Sequence, residues 1–323
     1  MADPSPLHTV AWHEAVLCVG DLDRWIDALQ RLFGWQIEHR GPVDPRLLHA
    51  WRLPATCRGE DVVLVNADDA PRRVRLLRLD AVPPVQARSS AAHWDTGGFF
   101  SLLVNVRDVD ATFREAQRLG WSAYQDPVDM HFSGRVLRNV VLRAWDGVCF
   151  GLYRPLQPPP PEPRYAKAGM AFNGQQSVRD MGAARAFYCG LFGWTPWFDA
   201  ALSLECNNLG MPANFVDRNI MNVIIAAAER DAQGAWRYGQ VELVEWLDFR
   251  GQDLSDRAVP PNLGILALRI PVPDAAGFAA ALVARGQGLF TSPSRVRLAP
   301  HGEVILFGVR SPDGAIVEFF QHA

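Results

Sequence analysis

Residues 19–35, VGDLDRWIDALQRLFGW, and residues 178–194, VRDMGAARAFYCGLFGW, share VxD at one end and LFGW at the other, at the same spacing. An apolar alternating stretch precedes each copy. In the first, Leu22, Trp25, Ile26, Leu29, Leu32 and Phe33 recur at helical intervals, which predicts a strand followed by an amphipathic helix. Gly34 and Gly193 stand where a helix ends in a left-handed residue, leaving the tryptophan after each to begin the next strand.

Weaker copies lie at 104–121, VNVRDVDATFREAQRLGW, and at 270–288, IPVPDAAGFAAALVARGQG, each an Asp-opened helix ending at glycine. Material suited to three short strands follows: WSAYQDPVDMHF, RVLRNVVLRAW and VCFGLYR in the second copy, SRVRLA, EVILFGVRS and AIVEFFQ in the fourth. The turns WDG at 145–147 and SPDG at 311–314 are the hairpin signal before the last strand. Strand, helix, three strands is the unit, and it occurs four times. The proline-rich segment LQPPPPEPRY, 156–165, lacks the amide donors of a helix or central strand and reads as an extended spacer. AVPP recurs at 81–84 and 258–261, each time between one module and the next. The expected fold is α+β: four tandem βαβββ modules paired into two cup-shaped mixed-sheet domains, residues 8–155 and 166–322, joined by the 156–165 linker.

Composition narrows the functions. A chain of 323 residues, 49% hydrophobic, buries a sizeable core and reads as soluble and globular. A net charge of -3 offers no basic field for nucleic acid or an anionic membrane. Five scattered cysteines without a CxxC pair argue against a disulfide framework or a thiolate zinc site. The start shows no signal-peptide pattern and no segment reaches membrane-spanning length, so the expected location is the cytoplasm. Gly-rich phosphate loops, GxSxG and HExxH are absent from the sequence.

The VxDLD helix start, the LFGW helix end and the SPDG turn leading into VEFF resemble the vicinal oxygen chelate superfamily of glyoxalases, bleomycin-resistance proteins and extradiol dioxygenases. That resemblance implies cups whose metal ligands come from one position on the first strand and one on the last strand of each module. Seven residues before the Asp of VxD it selects Glu14, Ser101, Asn173 and Ala267; on the last strands it selects Arg75, Gly151, Glu242 and Glu318. A one-residue slip would exchange Glu14 for His13, and alternation lets only one of them face the cup. This is not the imidazole and carboxylate set of a dioxygenase or glyoxalase site. Asn173, Glu242 and Glu318 are the residues left to hold a divalent cation; the expectation is no cofactor.

Without a metal, two carboxylates in one apolar cup repel, one pKa rises, and Glu242 and Glu318 become an acid and a base for proton transfer beside a carbonyl. His13 or Glu14, Arg75, Ser101, His131 and Asn173 are the polar residues expected to line a small-molecule site, Arg75 gripping a carboxylate or phenolate. His131 and Arg75 each have a plainer reading, as a structural histidine and a solvated arginine, and His301 in APHGEV reads as a hairpin tip. Among 11 tryptophans, Trp12, Trp51, Trp145, Trp197 and Trp246 lie outside the helix-end position and suit either an aromatic ligand or the core. The expected activity is an isomerase or lyase acting on an aromatic carbonyl compound, as monomer or homodimer. The alternatives are a non-catalytic binding or resistance protein, and a metal-dependent lyase or dioxygenase with atypical ligands.

Overall fold

The computed structural model describes residues 7–66, 72–80, 84–90, 92–132, 134–159, 162–203, 219–227 and 239–323. Module one contains β1 (Glu14–Cys18), α1 (Leu22–Phe33), β2 (Gln36–Pro42), α2 (Pro45–Ala50), β3 (Arg58–Val65) and β4 (Arg73–Asp80). Module two contains β5 (Ser101–Val106), α3 (Val109–Arg118), β6 (Ser122–Ala123), β7 (Val128–Phe132), β8 (Arg135–Arg143) and β9 (Cys149–Gln157). Module three has β10 (Ala168–Ser177), α4 (Met181–Arg185), β11 (Thr195–Ser203), β12 (Asn219–Ala226) and β13 (Gln240–Trp246). Module four has β14 (Gly264–Pro271), α5 (Ala275–Ala284), β15 (Leu289–Arg297), β16 (Glu303–Arg310) and β17 (Ile316–His322).

The repeat's chemistry recurs in each copy. Asp21, Asp108, Asp180 and Asp274 cap α1, α3, α4 and α5, each accepting the backbone N–H three residues on, at 3.1, 2.8, 3.0 and 3.0 Å. Gly34 and Gly193 adopt φ of 74° and 70°, a left-handed conformation that side chains resist, so the chain turns there into the buried Trp35 and Trp194. α4 continues through a wider π turn, Ala186–Leu191, before reaching Gly193.

Four modules do build two mixed sheets, but not within the halves. One sheet runs β15-β16-β17-β14-β1-β4-β3-β2 and joins modules four and one; the other runs β11-β12-β13-β10-β5-β9-β8-β6 and joins modules three and two. This corrects the expected pairing of neighbouring modules in 8–155 and 166–322. The connectors explain it: Gln86 bridges Leu263, Thr96 bridges Asp253, and the two long inter-module segments run side by side, each carrying its chain from one sheet to the other. Leu156 and Gln157 of the expected linker extend β9, while Pro160 and Pro161, and residues 81–83 of the first AVPP, lie outside the described residues.

Alternation sorts the core. Ala15, Leu17, Val74, Leu76, Val317 and Phe319 face the helices, as do Leu102, Val104, Phe150, Leu152, Val241 and Leu243 of the other sheet, and all belong to one large apolar cluster. The opposite faces line the cups. Because both β1 and β5 take their antiparallel partners from the other half, residues 8–155 expressed alone expose two unpaired edges. That fragment is expected to aggregate and to be rescued by coexpression with 156–323; a folded monomer with dispersed amide resonances would contradict the cross-half pairing.

Candidate functional site

In the first sheet, strand registers place Glu14 opposite Arg269 and Arg269 opposite Glu318. All three side chains, with Arg75, are fully buried. They form an alternating chain of charge across five strands. Arg269 donates from Nε to Glu318 Oε2 at 2.7 Å and from Nη1 to Glu14 Oε1 at 2.6 Å. Arg75 grips Glu14 with Nε and Nη2 at 2.9 and 3.0 Å, and reaches Asp61 and the Ala299 carbonyl with its remaining hydrogens. His39 Nε2 stands 3.5 Å from Asp61, and Trp51 Nε1 donates to Glu318 Oε1 at 2.8 Å.

The protonation states follow. Burial alone would raise the Glu14 pKa, but the charges of Arg75 and Arg269 and the His301 contact hold it well below its ordinary value of 4.5. Burial would lower the Arg269 pKa, and Glu318 and Glu14 overcome this and raise it. At Asp61 burial wins over Arg75 and His39, and its pKa rises.

Above this chain the cup is filled. Leu47 and Leu48 of α2, with Trp51, pack on Val16, Leu77, Ala267, Ile316 and Phe320. α2 was not foreseen, although Asp44 as cap and Pro45 in the first turn announce it. Glu14 therefore faces the cup and half-buried His13 does not share its network; burial and the charges of His301, Arg73 and Arg72 lower the His13 pKa to about 4. Arg75 meets protein groups with each of its nitrogens, which corrects both its ligand-gripping and its solvated readings. Ala267 is part of the cup floor; Arg269, two residues on, occupies the position facing Glu14. His301 is no bare hairpin tip: its ring lies 4.8 Å from Phe320 and its Nε2 is 3.8 Å from Glu14.

The second cup is different. Its registers align Cys149, Ser101, Gln175, Glu242 and Ile224 in one row across β9, β5, β10, β13 and β12. Glu242 is 5% exposed and has no ion-pair partner among the described residues; Asn222 Nδ2 donates to its Oε1 at 2.7 Å, and Gln175 also hydrogen-bonds it. Burial raises its pKa despite those two contacts. Ser101 donates to Gln175 Oε1 at 3.1 Å. Beside them Tyr153 has its pKa raised by burial and then by the charge of Glu242. The end of the cup is aromatic: Trp246 lies 5.1 Å from Phe249 and 6.4 Å from Trp94, and its Nε1 donates to His93 Nδ1 at 3.1 Å. Burial and the charge of Arg88 lower the His93 pKa to about 3, so it is a neutral ring.

Glu242 and Glu318 thus belong to different sheets, which corrects the expectation of two carboxylates in one cup and dissolves the cation set Asn173, Glu242 and Glu318. Ser101 and Asn173 do lie in the second cup with Glu242, Asn173 paired with Leu103. His131 is exposed on the face of β7 opposite the inward Met130. Gly151 fills the last-strand position because a Cβ there would lie 2.5 Å from Leu103 Cδ2 and 2.9 Å from Tyr153 Cε2. Gln175, Asn222, Tyr153 and His93 escaped sequence reading, since amides on a strand and a histidine in a connector carry no spacing signature. Of the five unassigned tryptophans, Trp12 and Trp51 are core, Trp246 lines the second cup, and Trp145 and Trp197 are partly exposed. Two surface hollows, of about 220 and 470 Å³, lie outside both cups.

Neither donor set fits the metal that the resemblance implies. In the first cup two guanidinium groups already neutralise the carboxylates, and a cation there would meet Arg75 and Arg269 at close range. In the second, one carboxylate stands among amides and a hydroxyl. Among the described residues no three His, Cys, Asp or Glu side chains converge as metal ligands do.

Two sheets, each seaming two βαβββ modules around a cup, define a class of paired-module proteins. Residues 8–148 match the family model of the Glyoxalase/Bleomycin resistance protein/Dioxygenase superfamily, so this part of the chain is a domain of that superfamily. Its fold is similar to that of glyoxalase I from Zea mays, at a TM-score of 0.62 and 15% identity over 97% of this chain and 92% of that one. A point mutant of the same maize enzyme reaches 0.65 at 16% identity, over 97% and 94%. A provisional dioxygenase from Bacillus subtilis reaches 0.59 at 10%, over 98% and 86%. At such identities the likeness is one of fold. No curated protein matches the chain in sequence.

Removing one member of the charge chain leaves a buried charge unpaired, so Arg269→Met is expected to cost about 3–5 kcal/mol in urea unfolding. Glu14 contributes stability above its unfolded value of 4.5 that is lost as pH falls through that value towards its lower folded one. Glu14→Gln should therefore flatten the acid limb of a stability-against-pH curve, and an unchanged limb would remove Glu14 from the network's energetics.

Proposed function

We propose that the second cup binds a small carbonyl-bearing molecule on an aromatic frame and that Glu242 moves a proton on it, in an isomerisation, epimerisation or lyase reaction, without a metal. The observation that carries this reading is the state of Glu242: a buried carboxylate with no cation beside it among the described residues, oriented by Asn222 and Gln175. A carboxylate whose pKa is raised by burial is a stronger base when ionised and a usable acid when protonated. One such group suffices for an isomerisation, where it takes a proton next to a carbonyl and returns it to another atom on the same face; an epimerisation needs in addition a proton donor on the opposite face. Tyr153 stays protonated and offers an O–H to a carbonyl oxygen as charge develops there. Trp246, Trp94 and Phe249 supply flat apolar surface for an aromatic ring. The metal-free part rests on the donor set, which has one carboxylate where the superfamily's metal sites need several strong ligands.

The test is proton exchange. Aromatic carbonyl compounds incubated with the protein in heavy water are expected to exchange the hydrogen beside the carbonyl, followed by NMR. Glu242→Gln should slow this by about 10²–10⁴-fold, while His131→Ala, at an exposed position, leaves it unchanged. Full exchange in the Gln variant would sink the reading. A compound that binds and is returned unexchanged would favour the second reading, a sequestering or resistance protein. Glu242 has no second ionisable group hydrogen-bonded to it, which is the observation on that side.

A further inference from the structure

Resting on the reading of the second cup as a small-molecule site, we infer that its ligand is an organic cation: a protonated amine on an aromatic or apolar frame, its ammonium group against Glu242 and the side-chain oxygen of Asn222.

The two cups differ in one respect that charge makes plain. In the first, Glu318 and Glu14 share the guanidinium of Arg269, and Glu14 and Asp61 share that of Arg75. In the second, the carboxylate of Glu242 is also buried and has no guanidinium, ammonium or imidazolium partner among the described residues. Arg88, buried behind His93, is engaged instead with the backbone oxygens of Gly97, Ala92 and Asp95. A buried carboxylate without a counter-ion is costly, and a cationic ligand removes that cost on binding.

A neighbouring polar atom asks for the same partner. Asn222 is 1% exposed, and its side-chain oxygen accepts no hydrogen bond among the described residues. The orientation of Asn222 is set by its Nδ2, which donates to Glu242, so its oxygen is the atom left over. An idle acceptor beside a carboxylate presents lone pairs, which a carboxylate or phosphate ligand would meet with repulsion. An ammonium group brings three donors and no acceptor. Trp246, Trp94 and Phe249, with ring centroids 5.1–6.5 Å apart, add π faces of the kind that attract organic cations.

Three probes of one shape separate the possibilities: phenethylammonium, phenethyl alcohol and hydrocinnamate, titrated calorimetrically into the full chain at a pH where the amine is charged and Glu242 is ionised. Phenethylammonium is expected to bind about tenfold or more tighter than the alcohol, with hydrocinnamate weakest. Glu242→Gln should erase the preference for the cation while leaving the affinity for the alcohol, which doubles as the check that the variant is folded. Asn222→Leu should weaken the cation more than the alcohol. Hydrocinnamate binding as well as phenethylammonium, or a Gln variant that keeps the cation preference, would overturn the inference and leave the second cup standing as a small-molecule site. Binding of none of the three would overturn the inference together with that reading.

Discussion

The seam between β1 and β14 holds the molecule together, and it is held by alternating charge. Glu318, Arg269, Glu14, Arg75 and Asp61 succeed one another from β17 through β14, β1 and β4 to β3, so the last module of the chain is tied to the first through side chains that water does not reach. Isolated buried pairs rarely gain on balance, because desolvation of each ion costs several kcal/mol. A chain of five is better placed: each inner member has an opposite charge on both sides, Trp51 donates to the outer Glu318, and the Ala299 carbonyl takes a further hydrogen of Arg75. The arrangement also selects a register. Slipping β1 by one residue would turn Glu14 into the apolar helix layer and leave two arginines facing each other, a penalty far above that of an apolar mismatch.

That seam decides what each cup can do. The positions from which the superfamily is built to draw ligands are used up in the first cup, and α2 with Trp51 closes the space above them. The second cup keeps a single carboxylate among amides. One fold therefore carries a cup whose buried carboxylates are paired with guanidinium groups and a cup whose buried carboxylate, among the described residues, is not.

The sequence carried the architecture in its repeat. Four aspartate caps and two glycine-tryptophan helix ends are local devices, each satisfied within a few residues, and each is found where the motif puts it. Which module pairs with which was not legible, because β1 and β5 present equally apolar alternating edges and either partner buries them. Positions on a face were partly legible. Alternation correctly left one of His13 and Glu14 inside, and Arg75 was identified as a cup position. Arg269 was missed because the fixed offset selects Ala267, whereas Arg269 stands five residues before Asp274, as Val16 stands before Asp21, and meets Glu14 only through the pairing of β1 with β14. Partners brought from distant segments, such as His93 against Trp246 or Trp51 on Glu318, exist only once the sheets have formed.

The split of Glu242 from Glu318 changes the chemistry more than it changes the fold. Two carboxylates in one enclosure would raise one pKa by mutual repulsion and make a proton relay of the pair. Apart, each responds to its own surroundings. Glu318 is pinned by a guanidinium and an indole N–H, two donors that hold it in place. Glu242 has its pKa raised by desolvation alone, against the pull of two amides. A group perturbed in that way is restored by whatever enters beside it: a cation returns it to the ionised form, an apolar ligand pushes it further towards the neutral one. The charge of any occupant and the protonation of Glu242 would thus be a single linked equilibrium.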